Sequence, residues 1–161
     1  MATLDQDHHA LMRCLSQTVD PSRLVQLLGQ ARDCRLSSGL VTFRLPEAMA
    51  LWSLQRPGEA LTVLDVDEPL LENDAQTWVL RGLAHRAMPN GNSAALAAYK
   101  RAHKLDPDRS DVLYNIGNLL YEKHPEQAFI FYWRSLELKP LQALCWLNIA
   151  LVQLLEARSE D

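Results

Sequence analysis

Apolar residues recur at three- and four-residue spacing along most of the chain, which is the pattern of amphipathic helices. One such helix is predicted to begin near residue 20, because Asp20 is a favoured N-cap and Pro21 suits the first helical position. Its apolar stripe consists of Leu24, Leu27, Leu28 and Ala31. Residues 1–38 therefore contain one or two helices.

The helical segments further along the chain repeat in pairs. Thirty-three residues separate Pro107 from Pro140. The positions before the two prolines match in order: Ala95 with Ala128, Tyr99 with Tyr132, Ala102 with Ser135 and Leu105 with Leu138. A repeat of this length is typical of stacked helix pairs, which bury a continuous core between neighbours.

Gly117 lies inside an apolar helical segment, where glycine costs roughly 1 kcal/mol relative to alanine. Close approach of a second helix would offset this cost. We expect Gly117 and Ala128 to face each other, with Leu113 and Tyr132 filling the space on either side. Pro140 is expected to end the second helix, because a proline inside it would remove a backbone hydrogen bond.

These positions resemble the tetratricopeptide repeat, whose signature is W-x2-L-G-x2-Y…A-x3-F…P over about 34 residues. The better copy has Leu113, Ile116, Gly117, Leu120, Ala128, Tyr132 and Pro140 at the matching places. The preceding copy has Trp78, Gly82, His85, Ala95, Tyr99, Ala102 and Pro107. The resemblance covers residues 41–157 and is weak before residue 75.

The resemblance implies an all-α fold, namely a right-handed α-solenoid of about three helix-turn-helix pairs, with N-terminal helices and a lone C-terminal helix. Within a single domain, we expect N-terminal helices that form a divergent repeat or cap at 1–38, a degenerate repeat at 39–74, repeats at 75–107 and 108–140, and a capping helix at 141–161. The degenerate repeat is expected to have its turn at 54–61 and a second helix that ends early.

Composition narrows the possible functions. The chain has 161 residues, 48% of them hydrophobic, and a net charge of −4 without a concentrated basic face, so nucleic-acid binding is not expected. Three cysteines are too few for a disulfide framework, and no secretory signal is recognisable, which favours the cytoplasm. The histidines are scattered, and His8 and His9 near the N-terminus make a poor metal site. No catalytic motif is present, so we expect no enzyme activity, metal or cofactor.

The resemblance implies binding of a peptide segment or helix of another protein in a concave groove lined by the first helix of each pair. The positions carried over from the family are Gln76, Val79, Leu83 and Arg86 in one repeat, Tyr114, Asn115, Asn118, Tyr121 and Glu122 in the next, and Leu147 in the last helix. The two asparagines would hold the main chain of a bound peptide, or would instead join helices within the stack. The two tyrosines would line the groove or pack between helices.

The groove differs from that of family members that clamp an acidic carboxy-terminal tail. Apolar side chains stand where those proteins carry the clamp: Leu45, Met49, Val79 and Leu83. The predicted partner segment is therefore apolar or amphipathic. We predict a non-catalytic interaction module, such as an adaptor, an assembly factor or a chaperone. The alternative is an accessory region that works with a glycosyltransferase-type enzyme.

The last predicted helix, residues 143–157, is apolar on more than one face, and we expect it to have no partner helix after it. Its apolar run is well short of the roughly 20 residues that span a bilayer, so no membrane span is expected. One neighbour cannot bury all of its large side chains, which are Trp146, Ile149, Leu151, Leu154 and Leu155. The surface expected to remain is formed by Trp146, Leu151, Leu154 and Leu155. They predict a homodimer through this helix, a docked partner, or a cover formed by the N-terminal helices.

Overall fold

The computed structural model describes the backbone of residues 2–65 and 69–159 and the side chains of residues 6–65 and 69–154. Within these ranges the chain is all-α, with ten α-helices, one short 3-10 helix and no strand. The fold class predicted from the sequence is confirmed at this level. The chain forms two compact units, Met1–Ala95 and Leu96–Asp161.

The first unit begins with two long helices and continues with shorter ones. Its helices are α1 (Ala2–Gln17), α2 (Pro21–Ser38), the 3-10 helix Val41–Phe43, α3 (Arg44–Ser53), α4 (Pro57–Leu64), α5 (Pro69–Glu72), α6 (Ala75–Arg86) and the first turn of α7 (Asn92–Leu105). The Asp20 carboxylate accepts hydrogen bonds from the backbone N–H groups of Ser22 and Arg23, so α2 begins where the sequence predicts. Gly39 ends α2 in the left-handed conformation, with φ of 68°.

The core of the first unit lies between α1, α2, α3, α4 and α6. It includes the predicted α2 stripe, together with Leu11, Leu15, Phe43, Ala48, Leu51, Ala60, Leu64, Leu71, Leu80 and Ala84. Glu47 of α3 is 1% exposed within this core, and its two carboxylate oxygens accept hydrogen bonds from Arg32 and Arg35 of α2. Since a buried carboxylate is costly without partners, this ion pair fixes α3 against α2.

The segment predicted to be a degenerate repeat differs from the expectation of a turn at 54–61. Helix α4 begins at Pro57, because proline has a backbone conformation suited to the first helical position. The turn is therefore limited to residues 54–56, and Gln55 adopts a positive φ of 60° within it. As predicted, the second helix ends early, at Leu64.

The second unit contains the rest of α7 and the helices α8 (Ser110–Leu120), α9 (Pro125–Leu138) and α10 (Ala143–Ser159). Helix α9 ends two residues before Pro140, as the sequence predicts. Helices α8 and α9 form an antiparallel pair, and α10 packs on α9. The buried side chains contributed by these three helices are Val112, Leu113, Ile116, Leu120, Ala128, Tyr132, Leu136, Cys145, Ile149 and Val152.

Gly117 of α8 lies directly against the Tyr132 ring of α9. A Cβ atom at this position would lie 2.5 Å from Cε1 of Tyr132, so only glycine leaves room for the ring. The close approach predicted for Gly117 is therefore present. Its partner differs, however, because the atoms nearest to Gly117 belong to the Tyr132 ring rather than to Ala128.

Candidate partner-binding face of α8 and α10

One side of α8 and the neighbouring side of α10 form what we call the α8–α10 face. The α8 residues share one side of the helix because they follow three- and four-residue spacing. The face consists of Asp111, Tyr114 and Asn118 from α8, of Tyr121 at the end of that helix, and of Leu144 and Leu151 from α10. All six side chains are exposed or half-buried.

A cavity of about 330 Å³ opens between the beginnings of these two helices. It is lined by Asp111, Tyr114, Gln142, Ala143 and Leu144. The lining is mainly apolar, because the tyrosine ring, the alanine methyl group and the leucine side chain supply most of the surface. A cavity of this size is at the lower end of the range for ligand pockets.

Asn118 joins the two helices at the centre of the face. Its Oδ1 atom accepts a hydrogen bond of 2.8 Å from Tyr132 Oη and another of 2.8 Å from Asn148 Nδ2. The amide N–H groups of Asn118 take part in neither bond and have no partner among the described residues. Burial raises the pKa of the Tyr132 hydroxyl above its usual value, so this group remains a proton donor.

The other predicted residues of α8 have different environments. The Tyr114 ring packs with its centroid 6.0 Å from that of Tyr132 and also lines the cavity, so it combines both roles considered from the sequence. Asn115 Nδ2 donates to the Asp111 carbonyl of its own helix at 2.8 Å. Tyr121 is half-buried at the end of α8, and Glu122 is exposed.

The only carboxylate in the cavity lining is already paired. Arg109 donates from Nε and Nη2 to the two Asp111 oxygens at 3.1 and 2.7 Å. Burial alone would raise the pKa of Asp111, but the hydrogen bonds and charge of Arg109 outweigh it and hold this pKa below its usual value. The carboxylate therefore stays ionised and neutralised by Arg109 at physiological pH.

Four predicted binding residues belong to α6 in the first unit. Val79 is 3% exposed, so almost none of its side chain is accessible to a ligand. Leu83 is half-buried and packs against the core of its unit. Gln76 is half-buried and Arg86 is exposed. The sequence pattern places all four on one helix but does not reveal that Val79 is covered.

Helix α10 exposes a large apolar surface. Leu144, Leu147 and Leu154 are each more than half exposed, and Leu151 is 38% exposed. The Trp146 ring is 48% exposed, and its Nε1 donates to the Pro140 carbonyl at 3.0 Å. The side chain of Leu155, predicted to share this surface, lies outside the described residues.

The structure contains an exposed aromatic cluster beside α10 that was not predicted from the sequence. The Trp133 ring stacks on Phe129 with centroids 6.3 Å apart and meets Trp146 edge to face at 5.8 Å. The four-residue spacing of Phe129 and Trp133 was a signal that they share one side of α9.

A second concave region lies in the first unit and has a volume of about 620 Å³. It is lined by Leu61, Thr62, Asp65, Glu72, Trp78, Arg81 and His85. The Arg81 guanidinium already makes several interactions there. It lies 4.5 Å from the Trp78 ring centroid and donates hydrogen bonds to Glu72 and to the Leu64 carbonyl.

In the part of the chain that the structure describes, no three His, Cys, Asp or Glu side chains converge as a metal site would require. No helix in the same ranges is both long and apolar enough to cross a membrane.

Comparison with known proteins identifies the repeat. A family model described as a TPR repeat matches residues 91–123. The chain contains a tetratricopeptide repeat. The matched segment begins just before α7 and ends just after α8, so it pairs the second helix of one predicted repeat with the first helix of the next. Tetratricopeptide repeats typically mediate protein–protein interactions.

Solved structures of MamA, itself a tetratricopeptide-repeat protein, share this fold. One MamA crystal structure has a TM-score of 0.73 and 18% identity, over 83% of this chain and 79% of that one. A second crystal structure has a TM-score of 0.71 and 17% identity, over 94% and 82% of the two chains. The RS-1 ArsTM double mutant of MamA has a TM-score of 0.59 and 19% identity, over 87% of each. No curated protein sequence gives a significant match.

At this level of identity the similarity establishes the tetratricopeptide-like fold and nothing about the role of this chain. The cytoplasmic location and the alternative role beside a glycosyltransferase stay predictions.

Proposed function

We propose that the chain is a non-catalytic binding module that holds an apolar segment of another protein on its α8–α10 face. One observation carries the proposal: a mainly apolar cavity opens on the face that also presents exposed leucines and the unpartnered amide N–H groups of Asn118. An adaptor, an assembly factor and a chaperone would all use such a face. The proposal deepens the general role of tetratricopeptide repeats by assigning the residues.

The cavity would receive the anchor side chain of the bound segment. With a volume of about 330 Å³, it accommodates one large aliphatic or aromatic side chain between the Tyr114 ring and Leu144. Binding energy at protein interfaces is concentrated in a few such buried side chains. Since Asp111 is neutralised by Arg109, an apolar anchor does not have to bury an unpaired charge.

Asn118 would orient the main chain of the bound segment. Its two hydrogen bonds to Tyr132 and Asn148 fix the amide group before any ligand arrives. The fixed N–H groups suit a main-chain carbonyl oxygen of a peptide, and a group held in place beforehand loses little conformational entropy on binding. No basic side chain belongs to the α8–α10 face, which favours an apolar segment over an acidic one.

The test is selection of a random peptide phage library on the purified protein. We expect the selected peptides to share one large apolar residue and to lose binding to Leu144→Asp, which places a charge in the cavity wall. The matched control is Ile130→Asp, because Ile130 is also highly exposed but lies on α9 outside the cavity lining. Equal binding of the peptides to both variants would refute the assignment of the site.

We also propose that α10 joins two copies of the chain. The described part of this helix is apolar around its circumference, yet only Cys145, Ile149 and Val152 are buried. A helix that is apolar all round is normally covered on all sides. Light scattering after size-exclusion chromatography should therefore give the mass of a dimer, and a monomer at all concentrations would contradict this proposal.

A further inference from the structure

The surface of α10 opposite its buried residues has a regular order of large and small side chains. Helical residues follow one another at about 100° around the axis, which places Ala143, Leu147, Ala150 and Leu154 directly opposite the buried face. Their spacing of four, three and four residues is that of the seam between two packed helices. Along this seam alanine and leucine alternate, and all four residues are exposed.

We infer that two copies of the chain pair α10 against α10 in the antiparallel direction, with every seam leucine facing a seam alanine. Leu147 then lies opposite the partner's Ala150, and Leu154 opposite the partner's Ala143. The twofold axis passes between the levels of residues 148 and 149. This inference rests on the proposal that α10 joins two copies, and it adds the direction, the register and the close approach.

Packing favours this direction over the parallel one. In a parallel pair leucine would meet leucine and alanine would meet alanine, so some layers would be crowded and others empty, and both defects cost stability. In the antiparallel register every layer contains one leucine and one alanine. The helices can then approach to about 8 Å, the short end of the usual range. Antiparallel helix dipoles also attract each other.

The same surface argues for a second copy as the occupant. Residues 143–154 contain no charged side chain, so two identical faces meet without like-charge repulsion. When the direction of the seam is reversed, each leucine falls opposite an alanine, so the surface is complementary to itself. An unrelated helix would have to carry the same alternation to fit equally well. Beside the seam, the half-exposed Trp146 ring adds apolar area that the seam alone would lack.

Cysteine cross-linking tests the direction. Ala143 and Leu154 are eleven residues apart, a distance of about 16 Å along the helix. A disulfide needs Cα atoms within about 7 Å. The antiparallel register therefore predicts that Ala143→Cys and Leu154→Cys proteins form a disulfide only when mixed. The background is Cys14→Ser with Cys34→Ser, whereas Cys145 is buried and is retained.

Each outcome decides between the possibilities. Disulfides within either protein alone would overturn the register and indicate parallel helices. No cross-link in the mixture, although light scattering shows a dimer, would place the interface elsewhere and refute the inference. A monomeric wild-type chain would refute self-association itself, so failure of the register and failure of the underlying proposal are distinguishable.

A second variant separates close packing from general hydrophobic adhesion. Ala150→Leu makes the surface more apolar but fills the space that the partner's Leu147 occupies. We expect the dimer dissociation constant to rise about tenfold or more, because overpacking is destabilising. Ile130→Leu on exposed α9 should leave it unchanged. Tighter association of the Ala150→Leu variant would refute the alternation of leucine and alanine.

Discussion

The contact between Gly117 and Tyr132 gives a sharp prediction for Gly117→Ala. The added methyl carbon would lie 2.5 Å from Cε1, 2.7 Å from Cδ1 and 3.0 Å from Cζ of the ring. Non-bonded carbon atoms normally stay about 3.5–4.0 Å apart, so the overlap is large. The ring has little freedom to move, since Tyr132 is 1% exposed and its hydroxyl is bound to Asn118.

The expected magnitude is a balance of opposing effects. Alanine gains roughly 1 kcal/mol over glycine in a helix. Overpacking costs about 1–3 kcal/mol, and displacement of the Tyr132 hydroxyl from Asn118 costs about 0.5–1.5 kcal/mol more. The clash outweighs the gain in helix propensity, so Gly117→Ala should lower the free energy of unfolding by about 1–3 kcal/mol.

Urea denaturation followed by circular dichroism measures this change. The matched control is Gly29→Ala in α2, where a Cβ atom would meet nothing within 4 Å and the substitution should stabilise the protein by roughly 1 kcal/mol. In a Tyr132→Leu background, Gly117→Ala should no longer destabilise the protein, because the ring is absent. If Gly117→Ala stabilises the wild-type chain as much as Gly29→Ala does, the close-approach account of Gly117 is wrong.

Two further predictions concern buried groups. Glu47→Gln should lower the free energy of unfolding by about 1–3 kcal/mol. This loss is modest for a buried ion pair, because the arginine partners of Glu47 are partly exposed. The control is Glu59→Gln, which removes an exposed ion pair and should leave the urea midpoint unchanged. Burial raises the pKa of the Cys145 thiol and shields it from reagents. An alkylating reagent at pH 8 should therefore modify the exposed Cys14 at once and Cys145 only in urea. Equal rates of modification in the native protein would contradict the buried position of Cys145.

The sequence alone determined the local structure of the chain. Asp20 with Pro21 predicted the start of α2, Pro140 predicted the end of α9, and the glycine at 117 predicted a close helix contact. These signals are readable because helix starts, helix ends and apolar stripes depend on residues within about four positions of each other. The paired pattern of such signals was sufficient for the all-α, tetratricopeptide-like fold.

The accessible surface of each side chain was decided only by tertiary structure. The same repeat positions put Val79 in the interior and leave Leu147 exposed, and the amide of Asn118 is fixed by Asn148, thirty residues away in sequence. The aromatic cluster around Trp133 likewise forms between two helices. A side chain's exposure depends on which neighbouring helix covers it, and a periodic sequence repeats its apolar positions whether or not that neighbour is present.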